Sequence, residues 1–177
     1  MDFTNILNQY VDRNVSASST GAPQHFDQVA HSAPPNVVGS GIAAAFRSDA
    51  TPPFADMVGR LFGNSSAHQR AGLLNDLVVS LTPGVLAELS ASPLAQMLGR
   101  VSDSGTAVTP EQAAAVSTQQ VQKVVREAEK LDAAIIDRVS QFYAHHPGVV
   151  KTLGAAALTI ALAKMAQQVK MAEHARA

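Results

Sequence analysis

Apolar residues recur along this chain at the three-to-four-residue spacing of helix faces. Nowhere do apolar and polar positions alternate long enough to argue for a strand. Phe3, Ile6, Leu7, Tyr10 and Val11 follow i, i+3, i+4, i+7, i+8, so an amphipathic helix capped by Asp2 is expected over 2–13. The Ser- and Thr-rich run from Asn14 to Ala22 reads as a flexible linker. Residues 1–21 are therefore expected to form an arm, tethered to a single helical domain over 22–177.

Pro23 opens a short helix through Phe26, Val29 and Ala30. Pro34-Pro35 closes it and starts the next, which carries Val37, Val38, Ile42, Ala45 and Phe46. One signature then repeats at Thr51-Pro52, Thr82-Pro83, Ser92-Pro93 and Thr109-Pro110. Each sets a hydroxyl at N-cap, where it accepts an orphan N–H, and a proline at N1, where a missing donor is harmless. These starts and the apolar stripes give helices over 52–62, 67–80, 83–90, 93–100, 110–115, 118–130, 133–145 and 149–172. Ser117 and Gln120 fit a capping box. Asp132 caps the helix after it, although the stripe from Val121 to Phe142 also allows one long helix. Gly99 to Thr109 is the natural inner flexible loop, near 100–109, dividing a larger half from a helical hairpin.

The expectation is an all-α, compact bundle of about eight to ten helices. The last helix is apolar on every face up to Ala163, which places it at the centre of the C-terminal half. Lys164, Lys170, His174 and Arg176 lie toward its C-terminal end, where cations complement the helix dipole.

Composition narrows the picture. The chain has 31 Ala, 19 Val and 14 Leu among 177 residues, only eight aromatics and no Trp. Helices built this way touch through many short contacts, bury little area per residue, and invite help from self-association. Charged residues make up 15% and the net charge is −1, which excludes a nucleic-acid-coating protein. No cysteine is present, so disulfides, thiolate metal sites and cysteine nucleophiles are excluded. The N-terminus has no cationic, apolar signal pattern, and a cytoplasmic location is expected. The longest uncharged apolar run, Thr152 to Ala163, makes roughly 18 Å of helix against about 30 Å of hydrocarbon, so it reads as a buried helix rather than a span.

Candidate chemistry is sparse. Gly39-Ser40-Gly41-Ile42-Ala43-Ala44 matches the letters of a dinucleotide fingerprint, but no strand precedes it, so the glycines read as easing close helix packing. Asp27 and His31 are four apart on one helical face, the spacing of a metal half-site or an acid–base pair. His145-His146 are the other candidates to join them; a surface or helix-end role is the plainer reading. No nucleophile elbow, P-loop or calcium loop appears. Arg47, Asp49, Gln69 and Arg70 are local polar signals, either a pair fixing helix registry or solvated positions. No catalytic, cofactor-binding or metal residues are assigned.

Phe46 to Phe54, Gln69 to Asn75, Phe142 to Pro147 with Val150 to Gly154, and Thr109 to Gln112 resemble a group of uncharacterised proteobacterial all-helical proteins similar to the YidB-like family. The likeness covers residues 25–170. It implies a helical bacterial cytosolic domain and supplies no catalytic residues.

Two functions from different classes fit. The first is a non-enzymatic structural or interaction protein that self-associates through apolar helix faces, with Phe3, Ile6, Leu7, Tyr10 and Val11 as the candidate docking face. Its partner is a second copy of itself, or a heterologous protein. The second is a membrane-associated or lipid-binding helical protein, using the arm and the segment 149–165 on a membrane surface.

Overall fold

The computed structural model describes residues 3–11 and 21–176. Asp2 and residues 12–20, with the cap and most of the flexible linker expected there, lie outside the described residues, while Ala22, expected at the end of that linker, opens α2 and is buried. Among those described, twelve α-helices and one 3-10 turn account for the regular structure, with no strand. The helices are α1 (Phe3–Val11), α2 (Ala22–Ser32), α3 (Pro35–Phe46), α4 (Phe54–Asn64), α5 (Ala67–Ser80), α6 (Pro83–Glu88) and α7 (Pro93–Ser104). They continue with α8 (Pro110–Ala114), α9 (Thr118–Leu131), α10 (Ile135–Ala144), α11 (Pro147–Val150) and, after the 3-10 turn Lys151–Leu153, α12 (Ala155–Arg176).

Most helix starts are where the sequence puts them, and the exceptions have local causes. Thr82 and Thr109 accept from the backbone N–H groups of Val85 and Gln112, and Ser66, Thr109 and Ser117 each close a capping box with a Gln three residues on. Thr51 does not cap α4. Pro53 follows Pro52 directly, and a residue before proline is pushed out of the helical region, so α4 starts at Phe54. The Thr51 hydroxyl turns back instead and donates to the carbonyls of Ala45 (2.6 Å) and Ser48 (2.8 Å), closing the end of α3. Ser92 holds the N-cap position of α7 without a side-chain cap bond. The 118–145 stripe is two helices, broken where the Asp132 carboxylate accepts from the Ala134 N–H at 2.9 Å. The expected helix over 149–172 is divided: Gly154, at φ 95°, separates the 3-10 turn from α12.

The chain forms two compact units, one of residues 1–53 with 140–177, the other of residues 54–139. In the first, α12 is the organising helix, but its neighbours are α1, α2 and α3 rather than a C-terminal hairpin. Leu158, Leu162 and Met165 are fully buried there, as is Ile42 of α3. The glycines of α3 lie in this contact. A Cβ on Gly41 would stand 2.7 Å from the Ala161 carbonyl oxygen of α12, so the two backbones touch only because residue 41 has no side chain. The dinucleotide letters are thus a packing device.

In the second unit, α4 pairs with α9, and α5 packs on α7 and α8. Phe62, Leu73, Leu74, Leu98, Val121 and Val124 are buried in full. The segment expected as an inner loop near 100–109 is helical to Ser104, and Gly105 ends α7 in the left-handed region at φ 64°. Beyond it, the Val108 backbone is held by Asn75 of α5. The Asn75 amide donates to the Val108 carbonyl (3.2 Å) and accepts from its N–H (2.7 Å), and the Val108 side chain is buried.

Candidate functional site

The candidate docking face on α1 is occupied within the chain. Ile6, Leu7 and Tyr10 are buried, and Phe3 and Val11 half-buried, where α1 packs on α12 and α2. This is helix-in-groove geometry with ligand and groove on one chain. A polar bond helps to fix the register: the Tyr10 hydroxyl meets His25 Nδ1 at 2.7 Å, with the rings edge to face at 5.8 Å. His25 was not among the sequence candidates. Its only sequence signal is a place one helical turn after the start of α2.

Beside α1 lies a cleft of about 590 Å³, lined by Phe3 and Ile6 of α1 and by Asp27, Gln28, His31 and Ser32 of α2. The Asp27–His31 pair read from the four-residue spacing is on its rim. Asp27 Oδ1 stands 3.8 Å from His31 Nδ1 and 3.1 Å from Lys151 Nζ. His31 Nδ1 makes its closer bond, 2.7 Å, to the Asp27 backbone carbonyl. A carbonyl only accepts, so Nδ1 carries the proton and a neutral His31 presents Nε2 as an acceptor. Lys151 comes from the 3-10 turn before α12, and nothing in the local sequence links it to Asp27. It neutralises the carboxylate that a metal half-site would need. A pair this exposed contributes about 0–1 kcal/mol.

His145 and His146 do not join this cluster. His146 Nδ1 donates to the Phe142 carbonyl at 2.9 Å and its ring stacks near the Phe142 ring at 4.6 Å, a helix-end arrangement closing α10. His145 is exposed. Among the described residues no three His, Asp or Glu side chains gather as a metal cluster would require.

Arg70 has a local role. Its Nε donates to the carbonyls of Phe62 (2.9 Å) and Ser65 (3.1 Å), and its Nη2 to that of Gly63 (2.9 Å). The guanidinium also lies over the Phe62 ring, 5.1 Å from its centre. Arg70 therefore closes the C-terminus of α4, while Gln69 completes the capping box of α5.

No protein-family model, curated protein or solved structure matches this chain.

What the two units leave open to solvent is apolar as well as polar. Val79, at the end of α5, is 83% exposed, Met171 of α12 is 60% exposed, and Leu131 of α9 is 44% exposed. Among the described residues no helix is long and apolar enough to cross a membrane.

Proposed function

We propose that this chain is a non-enzymatic interaction protein that self-associates into a homo-oligomer through apolar helix faces. The observation that carries this reading is Val79. This β-branched apolar side chain stands 83% exposed to water, and Met171 and Leu131 add further exposed apolar surface on other helices. It lies in a stretch, Leu77 to Gly99, in which Glu88 is the only charged residue. Low charge removes the repulsion that keeps surfaces apart. The side chains with chemical potential, Asp27, His31 and Lys151, are engaged with one another on a solvent-exposed rim, which supports a structural reading of them.

The arm face is satisfied in cis, so the proposed contacts lie elsewhere on the helices. Light scattering after size exclusion, with electron microscopy of the same fractions, tests the reading. A discrete oligomer or a filament is expected. An 18.5 kDa monomer at every concentration up to the high micromolar range overturns it, and directs attention to a heterologous partner or a membrane surface.

A further inference from the structure

We propose that the groove between α6 and α7 is an isologous contact, in which two copies of this chain meet with Arg100 of each facing Asp103 of the other. The proposal rests on the self-association argued above and gives it a surface.

The groove, of about 460 Å³, has Leu86 and Ala87 on its α6 side and Ala95 and Gly99 on its α7 side. Its floor is open at Gly99, where an added Cβ would meet nothing within 4 Å. Small side chains there let another backbone approach closely. Leu86 and Ala95 lie buried beneath its surface, Ser90 and Gln96 line it beside Ala87, and the walls belong to the stretch with a single charged residue, so an entering partner has little charge to desolvate.

At one end the character changes. Arg100 and Asp103 line the groove three residues apart on α7, about 4.5 Å along the helix axis. Both are exposed, and neither has a hydrogen bond or ion pair among the described residues. Opposite charges one helical turn apart are self-complementary under a two-fold rotation. A two-fold axis passing beside α7, perpendicular to it and level with the midpoint between the two charges, sets the two α7 helices antiparallel and brings each arginine onto the other copy's aspartate, twice. A translated or head-to-tail copy gains neither pair. Charge complementarity thus selects a second copy of this chain as the occupant.

The test uses the full chain and sedimentation velocity from low to high micromolar concentration. The samples are the wild type, Arg100→Asp, Asp103→Arg, their equimolar mixture, and the double variant carrying both changes. Both side chains are solvent-exposed, so far-UV circular dichroism should not change. Each single variant turns two attractive pairs into two repulsive ones, and its dimer dissociation constant should rise about tenfold or more. The mixture and the double variant restore both pairs and should recover wild-type association.

Single variants that associate like the wild type overturn this contact and leave self-association standing on another surface. Weakened single variants whose mixture does not recover also overturn it, because the two charges then do not face each other. A wild type that stays monomeric throughout overturns both this inference and the reading on which it rests.

Discussion

Replacing Gly41 by alanine is the sharpest probe of the first unit, with Gly39→Ala as its control. Both glycines are interior to α3, so alanine brings the same gain in each, about 0.5–1 kcal/mol from backbone entropy and helix propensity. What differs is the neighbour. At position 41 the new Cβ falls 2.7 Å from the Ala161 carbonyl oxygen and 2.8 Å from Met165 Cγ. The first is backbone of α12, and the second belongs to a fully buried side chain. Neither yields unless α12 shifts, and such overpacking costs about 1–3 kcal/mol. At position 39 the three atoms nearest the Cβ all belong to the Gln141 side chain, which lies at the exposed surface and can rotate away.

Subtracting one variant from the other cancels the propensity gain and leaves the packing cost. Gly39→Ala is expected at or above wild-type stability, and Gly41→Ala below Gly39→Ala by about 1–3 kcal/mol. Urea unfolding followed by circular dichroism at 222 nm measures this, since the chain has no Trp to report by fluorescence. Equal midpoints for the two variants would refute the backbone-to-backbone contact of α3 and α12.

Arg70→Met keeps the side-chain stem but removes the two donor groups that make three hydrogen bonds at the end of α4, and should lower stability by about 1–2 kcal/mol. Arg70→Lys should recover only part of this, because an ammonium lacks the planar fork; a lysine variant equal to wild type in urea would contradict the role. Asn75→Ala breaks both bonds to Val108 and should cost about 1–2 kcal/mol while speeding amide exchange at Val108; unchanged exchange there would show that the loop holds itself. The Glu111 carboxyl is held below its ordinary range by a hydrogen bond from its own backbone N–H, then by the Thr109 hydroxyl and, more weakly, by the charge of His68. A lowered folded-state pKa stabilises the fold above the ordinary glutamate value, and that contribution is lost as pH falls through the lowered value. Thr109→Val should move the Glu111 titration, followed by NMR, back upward; no movement would discount the hydroxyl.

Helix starts were legible because their causes are local. Three capping boxes and the Thr-Pro starts at 82 and 109 depend on residues within one turn of each other. The misplaced start at Thr51 had a local cause too, the second proline, and the end of the helix beginning at Pro93 was missed because a charged, serine-rich segment carries a helix as readily as a loop until Gly105. Partner choice was another matter. Stripes of Ala and Val of similar width run along most of these helices, and nothing in their spacing distinguishes one partner from another. The C-terminal helix was legible as buried but not as the companion of α1, α2 and α3.

The candidate site divides along the same line. Asp27 and His31 share a helix face by spacing alone, whereas Lys151 reaches Asp27 only through the packing of α2 against the segment before α12, which no local pattern encodes. The glycines carry the pairing information that the apolar stripes lack. The most extensive helix pairs of the two units are α3 with α12 and α4 with α9, and each has a glycine facing the partner, Gly41 against the Ala161 backbone carbonyl and Gly59 against the Gln122 side chain. Glycine costs helix stability in isolation, so its presence in a helix interior marks a place where something must come near. Gly99 is interior to α7, and among the described residues an added Cβ there would meet nothing within 4 Å. By the same logic it marks the approach that the proposed contact with a second copy of the chain would fill.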